Sequence, residues 1–286
     1  MNEKVYILLP VHNRCEVTRR FIASLKEQTY RHYHLVLIDD GSTDGTAEMV
    51  RAEMPVLSVI TGAGNWWWAG ALQQGYEWLR AQSAETSDLV LIINDDTEFT
   101  PDFLACAVGL MKNLRGTLLL AQAYSMATGQ IIGGGVHVDW SRLQFSQTVT
   151  QAETNCLSTR GLFLSVGDFL RTGGFFPKIL PHYLSDYEFT LRAHRKGLNL
   201  RVDESLSLRV DERATGFRQD DGGPFSEFLR RYFSRKSAAN PFAWTAFIVM
   251  ACPWQWKLLN LLRIWYGTGK IIAGRLFPAT RMPPWS

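Results

Sequence analysis

The chain has 286 residues, enough for one large domain or for one domain with an appendage, and either can bury a sizeable core. Its formal net charge of +3 is too small to argue for nucleic acid as a partner. Its four cysteines lie far apart without a CxxC pair, which argues against a zinc knuckle or a disulfide framework and favours the reducing cytoplasm.

The first hundred residues alternate short apolar segments with segments of helical periodicity. The expected strands cover residues 5–9, 35–38, 56–60 and 89–93, and the expected helices cover 16–28, 46–54 and 69–81. This order predicts an α/β fold with a mostly parallel sheet and helices on its faces. Ligands of such sheets bind beyond the carboxyl ends of the strands, and polar clusters at 10–14, 39–45 and 94–96 fall there.

Beyond Pro101 the alternation of strand-like and helix-like segments becomes less regular. We expect further strands and turns near 118–120 and 131–135, and a helix at 188–196 that Gly197 ends. From about Gly216 a polar, glycine-containing stretch gives way to an aromatic-rich, basic segment. The sequence therefore predicts a catalytic domain over residues 1–215 and a C-terminal helical extension over 216–286.

Two acidic clusters stand beside apolar residues, one at Asn94-Asp95-Asp96 and one around Asp186. Carboxylates are rarely left in apolar surroundings without a partner, because desolvating an unpaired charge is costly. The first cluster suggests a site for Mg²⁺ or Mn²⁺, which bind through one or two carboxylates plus substrate phosphates; a solvent-facing turn is the alternative. Asp186 is a candidate general base, or a plain N-cap of the helix that follows it.

The first two strands end in Pro10-Val11-His12-Asn13-Arg14 and in residues 39–45. Two consecutive parallel strands present such side chains to one crevice, where a carboxylate can accept a hydrogen bond from a pyrimidine N–H. Arg14 either adds positive charge near a diphosphate or is simply solvated. Residues 39–45 also fit an ordinary strand-to-helix turn with Ser42 or Asp44 as N-cap.

These motifs occur in a fixed order: residues 10–13, 38–46 and 94–96, then Gly173-Gly174-Phe175 ahead of 185–192. The set resembles the family 2 glycosyltransferases, whose nucleotide-diphospho-sugar (GT-A) domain it matches in order and spacing over roughly residues 4–215. The consecutive tryptophans of residues 66–68 and the segment 180–183 look most like the bacterial rhamnosyltransferase-type branch, which uses dTDP- or UDP-sugars.

The resemblance implies a binding site for a UDP- or dTDP-sugar donor. The residues that it places there are Pro10, Val11, Asn13, Arg14, Asp39, Asp40, Asn65, Trp68, Gly70, Gln74, Asn94, Asp95 and Asp96. Asp40 matches the acid that contacts the nucleotide base, and small residues at 69–71 would let a helix N-terminus approach the diphosphate. At least one of the three tryptophans is expected to line a pocket, with a hydrophobic staple of the helix as the alternative.

The resemblance also implies which residue binds the metal ion and which residue acts as the catalytic base. Asp96 matches the direct ligand of Mn²⁺ or Mg²⁺ at the last position of an Asp-x-Asp signature, whose first position is Asn94 here. Asp186 matches the usual catalytic base, while Ser185 replaces the acid that precedes it in the family. Family members often place a further metal ligand near residue 210, where Asp211 and Glu212 are the candidates and no His is found.

Three further residues are expected on the acceptor side of the site: Arg160, His182 and Glu188. A salt bridge explains Arg160 equally well, and most isolated histidines are structural. The implied reaction is a single displacement with inversion, in which Asp186 takes the proton of an acceptor hydroxyl while its oxygen attacks the anomeric carbon.

Three other functions compete with this hypothesis. A catalytically inactive sugar-nucleotide-binding scaffold would not need Asp40, Asp96 and Asp186 together. A nucleotidyltransferase would need a Gly-rich, basic triphosphate loop after the first strand, and residues 10–14 are not one. A processive polysaccharide synthase normally has spanning helices and a Gln-x-x-Arg-Trp signature, and this sequence contains neither.

The C-terminal segment is aromatic and basic. No apolar run in the sequence reaches the roughly 18 residues of a membrane-spanning helix, and no secretory apolar region precedes the first strand. Residues 254–266 form an apolar helix with a narrow polar stripe at 257, 260 and 263. We predict a monotopic membrane contact on the inner face of the cytoplasmic membrane and a lipid-linked glycan acceptor. The alternative is a helical pair that packs on the catalytic domain or on a second subunit, in a homodimer.

Overall fold

The apolar segments of the chain pair into two sheets in a computed structural model, which describes residues 3–148, 151–214, 224–235 and 237–276. The strands of the described residues are β1 (Val5–Val11), β2 (Tyr33–Asp39), β3 (Leu57–Thr61), β4 (Leu89–Ile92), β5 (Thr97–Phe99), β6 (Thr117–Ser125), β7 (Ile131–Gly133), β8 (Gly135–Asp139), β9 (Gln144–Gln147), β10 (Cys156–Leu157), β11 (Leu162–Ser165) and β12 (Asn199–Val210). The α-helices are α1 (Cys15–Lys26), α2 (Thr46–Glu53), α3 (Trp67–Arg80), α4 (Phe103–Met111), α5 (Val166–Thr172), α6 (Ser185–Arg195), α7 (Phe225–Tyr232), α8 (Pro241–Ala251) and α9 (Trp254–Leu276).

The larger sheet has the strand order β3-β2-β1-β4-β11-β6-β12-β5, with β7 paired to β6 outside this path. Strands β3, β2, β1 and β4 are mutually parallel, as predicted from the alternation of strands and helices. The second half is mixed, because β11 runs antiparallel to both β4 and β6 while β6 and β12 are parallel. Strands β10, β8 and β9 form a small antiparallel sheet.

Side chains of β1 alternate between two apolar cores, because successive residues of a strand point to opposite faces. Val5, Ile7 and Leu9 belong to one core with residues of α1, α2 and α4. Tyr6 and Leu8 belong to the other, with residues of α3, α5 and α6. Burial on both faces is the reason why these strands read as continuous apolar segments.

Strand β1 is longer than predicted, since it continues through Pro10 to Val11. The carbonyl of Leu8 accepts a hydrogen bond from Ile93 on the β4 side, and Pro10, two residues on, faces the same side. Strand β4 pairs with β1 only as far as Leu8, so the missing N–H of Pro10 leaves no ladder bond unmade. Neither β5 nor α4 was predicted from the sequence.

The C-terminal helices share a core with the preceding residues. Phe247 of α8 is fully buried in a cluster with Leu184 and Leu191 of the α6 region and with Val136 of β8. The division at residue 215 stays a prediction, and residues 215–223 lie outside the described part of the chain. In the residues that the structure describes, no helix combines the length and apolar character needed to cross a bilayer.

Candidate active site

A cavity of about 660 Å³ opens beyond the carboxyl ends of β1 and β4, where ligands of parallel sheets are expected. Eleven of the residues predicted for the site line it: Pro10, Val11, Arg14, Asp40, Trp68, Asn94, Asp95, Asp96, Arg160, His182 and Asp186. The tertiary structure thus brings residues from six separate parts of the chain to one crevice. A smaller cavity of about 360 Å³ beside β8 and β12 contains none of the predicted residues.

Six predicted residues lie outside the lining of this cavity: Asn13, Asp39, Asn65, Gly70, Gln74 and Glu188. Asn13 joins the first two loops, because its Oδ1 accepts a hydrogen bond from the Thr43 N–H at 2.8 Å. The Asp39 carboxylate accepts from the Ser42 N–H at 2.9 Å, within its own turn. These two side chains shape the loops at the cavity and do not face it.

Of the other outlying residues, Asn65 lies in the loop before α3 and the remaining three belong to helices. Gly70 is buried in α3, where an added Cβ would lie 3.0 Å from Cβ of Trp66, and Gln74 lies half-buried on the same helix. Glu188 is buried and paired with Arg192, whose Nε and Nη2 each lie 2.9 Å from a carboxylate oxygen. Contact with an acceptor requires a side chain that reaches the cavity, so the expected acceptor-side role of Glu188 does not match its position.

The Asp40 carboxylate caps the loop that leads into α3. Its Oδ1 accepts hydrogen bonds from the N–H groups of Gly64 at 2.9 Å and Asn65 at 3.1 Å. Its Oδ2 accepts from those of Trp66 at 2.8 Å and Trp67 at 3.1 Å. An ionised carboxylate offers about four lone-pair sites, so these backbone donors use the oxygens that the predicted base contact requires. The structure therefore gives Asp40 a positioning role that the sequence did not reveal.

Asp95 and Asp96 are buried beside two arginines. The Nε of Arg14 lies 3.1 Å from Oδ2 of Asp95, which also accepts a hydrogen bond from the Thr18 hydroxyl at 2.9 Å. Asp96 lies 3.9 Å from each arginine, from Nη2 of Arg14 and from Nε of Arg160. Burial raises the pKa of Asp95 to about 6, although Arg14 and the Thr18 hydroxyl lower it. Arg14 and Arg160 thus bring two positive charges to the cavity.

The carboxylates at Asp95 and Asp96 suit a hard cation whose remaining ligands are water molecules and the oxygens of a bound diphosphate. Mg²⁺ and Mn²⁺ prefer carboxylate oxygens and commonly take only one or two of them from the protein. Within the described ranges, no group of three or more His, Cys, Asp and Glu side chains is arranged to hold a metal. The chain would therefore supply Asp96, with Asp95 beside it, and a bound diphosphate would supply further oxygens.

The two further metal-ligand candidates near residue 210 are paired elsewhere. Asp211 forms an ion pair with Arg20, whose Nη2 lies 2.8 Å from its Oδ2. Glu212 accepts a hydrogen bond from the Ser125 hydroxyl. Both carboxylates stabilise the junction of β12 with its neighbours, and neither lines the cavity.

Asp186 lies in the first turn of α6, with its side chain at the cavity. Leu184, just before the helix, has a φ of 67°, a left-handed conformation that is strained for a non-glycine residue and turns the chain sharply into α6. Burial raises the pKa of Asp186 to about 6, although backbone hydrogen bonds and the charge of Arg160 lower it. A carboxylate with such a pKa can accept a proton near neutral pH. Ser185 is buried and donates to the carbonyl of His182.

Two of the three consecutive tryptophans line the cavity, and the third packs against the core. Trp67 and Trp68 line the cavity, as expected for at least one of the three, whereas the ring of Trp66 packs against Gly62. The Nε1 of Trp68 donates to Oδ1 of Asn94 at 3.3 Å. The Trp67 ring lies edge-on to His182, with centroids 6.5 Å apart. Aromatic faces and edges therefore form one wall of the cavity, a surface typical of sugar or base contacts.

Sequence reasoning missed several lining residues, among them His12, Tyr183 and Tyr187. The Nδ1–H of His12 donates to the carbonyl of Asp40 at 2.7 Å, which holds the first two loops together. His12 and Tyr183 lie inside segments 10–13 and 180–183, which resemble the family. Their position in those segments is the sequence signal that could have identified them as lining residues. Nothing local marks Thr18, which reaches Asp95 from α1 across 77 positions of the chain.

Comparison with known proteins agrees with this architecture. A family model for glycosyl transferase family 2 matches residues 6–151, which is just over half of the chain. The S. aureus protein TarS, solved as its fragment 1–349 in complex with UDP-GlcNAc, superposes with a TM-score of 0.62 at 18% identity. That match covers 94% of this chain and 88% of the fragment. Against a longer TarS structure the chain spans 53% of its length, at 19% identity with a TM-score of 0.60.

A mannosyltransferase from Pyrobaculum calidifontis, solved in complex with GDP-Man and Mn²⁺, has a TM-score of 0.59 at 16% identity. The match covers 99% of this chain and 77% of the other. At these identities the likeness concerns the fold. The mixed sheet flanked by helices is the GT-A fold, and the fold class predicted from the sequence is confirmed.

Proposed function

The chain belongs to glycosyl transferase family 2, and we propose that it moves a sugar from a UDP- or dTDP-sugar to a hydroxyl of a bacterial glycan acceptor. The observation that carries this proposal is the cavity itself. One part of its lining holds a pair of buried carboxylates with two arginines, and another holds Asp186, whose pKa of about 6 suits a general base.

The donor diphosphate would lie against Arg14 and Arg160. Guanidinium groups bind phosphate oxygens with paired N–H donors, and their charge opposes the charge of the leaving diphosphate. Trp67 and Trp68 would bound the sugar or the base on the aromatic wall and keep water away from the reacting carbon.

Asp186 would accept the proton of the acceptor hydroxyl while that oxygen attacks the anomeric carbon from the side opposite the diphosphate. One displacement of this kind inverts the configuration at that carbon. Holding acceptor and donor in line in one cavity removes much of the entropic part of the barrier. The strained turn at Leu184 fixes where the Asp186 carboxylate stands.

Asp96, with Asp95 beside it, would hold Mn²⁺ or Mg²⁺ together with the diphosphate. When bound, such an ion supplies further positive charge against the leaving group. The Mn²⁺ in the mannosyltransferase complex supports this part of the proposal. The resemblance to the rhamnosyltransferase-type branch remains a prediction about the branch of the family, and we place the enzyme in the cytoplasm with a lipid-linked acceptor.

The rival function is an inactive scaffold that binds a sugar nucleotide without transferring it. The position of Asp186 favours the enzyme. Its half-buried carboxylate reaches the cavity with a pKa of about 6, whereas Asp95, whose pKa is also raised to about 6, is ion-paired with Arg14 and hydrogen-bonded to Thr18.

The first test is a thermal-shift panel of UDP, dTDP, GDP and CMP, each with and without Mn²⁺. We expect stabilisation by UDP or dTDP that depends on Mn²⁺ and that Asp96→Asn removes. Asp102→Asn, which neutralises an exposed carboxylate outside the cavity, is the matched control and should respond as the unmodified chain does. Failure of every nucleotide to stabilise the protein would contradict the donor site, and binding without sugar transfer would support the scaffold.

A further inference from the structure

Helix α9 buries its polar side and exposes its apolar side, which is the reverse of an ordinary surface helix. Its polar stripe, at 257, 260 and 263, faces the rest of the protein. Asn260 is fully buried and donates to the Trp140 carbonyl at 2.9 Å, and Nη1 of Arg263 donates to the Ser141 carbonyl at 2.6 Å. Nζ of Lys257 donates to the Val249 carbonyl near the end of α8. A surface helix normally turns its polar face to water and its apolar face to the core.

The opposite side of α9 is apolar and exposed. Trp254, Leu258, Leu262 and Tyr266 follow one another at intervals of four residues, which places them along one side of the helix. Their side chains are 84%, 71%, 61% and 72% exposed. Phe242 and Val249 of α8 add two more exposed apolar side chains. We call these six residues the α8–α9 outer face. Contiguous exposed apolar surface of this kind marks an interaction site.

The charge of this region is one-sided. Residues 228–286 contain nine Lys and Arg and no Asp or Glu, whereas residues 1–227 contain 21 basic and 27 acidic residues. Lys270 continues the apolar row one turn beyond Tyr266, with its Nζ 5.8 Å from the centre of that ring. The outer face therefore joins apolar and aromatic side chains to positive charge, without a negative group on its own helices.

We propose that the α8–α9 outer face docks on the surface of an anionic phospholipid bilayer, with α9 lying in the plane of the headgroups. Trp and Tyr side chains favour that layer, and Lys and Arg near it are attracted to anionic lipid. With 23 residues and a rise of about 1.5 Å each, α9 offers a contact about 35 Å long. A second copy of the chain would bring the same positive charge to the interface, so charge complementarity favours the bilayer.

The docked face would be coupled rigidly to the active site. The buried side of α8 packs on α6 through Phe247, and Nη1 of Arg195 in α6 donates to the Met250 carbonyl at 2.9 Å. Helix α6 carries Asp186 in its first turn. Docking would hold this side of the cavity near the lipid surface, where a lipid-linked acceptor would be found. The docking itself goes beyond the proposed transfer and does not depend on it.

Vesicle sedimentation of the full chain tests the proposal without any measurement of transfer. The probes are phosphatidylcholine vesicles with and without phosphatidylglycerol, at low and high salt. We expect binding only to the anionic vesicles, weakened by salt. Leu262→Asp should reduce the partition coefficient about tenfold or more, because it removes apolar contact and adds a repelled charge. Lys270→Gln should reduce it about fivefold.

The matched control is Val56→Asp, which adds the same charge at a side chain 54% exposed and outside the outer face. It should bind as the unmodified chain does. Leu258→Asp repeats the main test, and circular dichroism checks that each variant is folded. Absence of binding, or equal binding to neutral vesicles, would overturn the proposal. Light scattering that shows a dimer which Leu262→Asp converts to a monomer would overturn it in favour of a second copy.

Discussion

Two carboxylates of the same cavity have raised pKa values and different partners. Burial raises the pKa of both carboxylates to about 6, so their partners distinguish them. Asp95 is ion-paired with Arg14 and accepts a hydrogen bond from the Thr18 hydroxyl. Asp186 has backbone donors and the more distant charge of Arg160, which only partly offset its burial. A carboxylate that is ion-paired and hydrogen-bonded to side chains is suited to a fixed negative site, and one that lacks such side-chain partners is better placed to take a proton from a substrate.

The substitution Asp186→Asn tests whether this carboxylate is the catalytic base. We expect transfer to fall by a factor of about 10²–10⁴. In the unmodified enzyme the rate should rise with pH through about 6 and then level off, since only the ionised form accepts a proton. A pH–rate profile and a time course of sugar transfer measure both effects. Turnover that is unchanged in the variant would contradict the base and revive the scaffold.

The same substitution has an opposite effect on stability. The pKa of Asp186 in the folded state lies above its unfolded value, so folding stability falls as pH rises from about 4 to about 6 and stays lower above that. A neutral Asn avoids this loss. We expect Asp186→Asn to raise the free energy of unfolding by about 1–2 kcal/mol at neutral pH and to leave it nearly unchanged near pH 4. Thermal unfolding at the two pH values separates this effect from a general change in the fold.

The start of helix α3 depends on Asp40, the residue that directly follows β2. The Asp40 carboxylate accepts hydrogen bonds from the four N–H groups of residues 64–67. Capping of this kind is usually performed by a residue just before the helix. The approach is close: a Cβ on Gly62 would lie 2.6 Å from Oδ1 of Asp40. Because Trp67 and Trp68 follow directly, this contact also sets the aromatic wall of the cavity.

Asp40→Asn distinguishes the observed cap from the base contact that was predicted. The amide group of Asn can accept at one end only and turns N–H donors toward backbone N–H groups at the other. We expect a loss of about 2 kcal/mol in the free energy of unfolding, together with weaker nucleotide binding. Denaturant titration and nucleotide titration measure the two quantities. Unchanged stability with weaker UDP binding would instead support a direct contact with the base.

The C-terminal helices complete an apolar core that the preceding residues begin. Phe247 and Ala251 of α8 cover Leu184 and Leu191, next to the turn that carries Asp186. Removal of these helices would expose that cluster to water. This is why point substitutions on the outer face are a better test of membrane docking than a deletion.

A chain that ends at residue 235 tests the predicted division at residue 215. We expect lower soluble yield and a lower melting temperature than for the full chain, because deleting Phe247 contacts alone is typical of a loss of about 3–5 kcal/mol. The control is Phe242→Ala in the full chain, a change at a side chain 60% exposed on the same helix. A truncated chain with unchanged melting temperature would support an independent domain over 1–215.

The parallel half of the sheet follows from local sequence patterns alone, and so do the positions at which its polar residues cluster. Alternating apolar segments encode β1 to β4 and α1 to α3 locally, through the two periodicities of strand and helix. Parallel strands that end at one edge then bring Arg14, Asp95 and Asp96 together without further information. The family motifs added Asp186 from a distant segment.

Which of these polar residues face the cavity depends on contacts between distant parts of the chain. Asp40 and Glu188 look alike as acids near apolar residues, but one caps α3 and the other pairs with Arg192. The pattern of α9 shows a polar stripe without showing which way it faces. Its hydrogen bonds to the carbonyls of Trp140 and Ser141 orient the stripe inward. A polar group that is removed from water needs a hydrogen-bond partner, and that partner can come from any part of the chain. A partner that is distant in the sequence leaves no periodic pattern, so local sequence cannot reveal it.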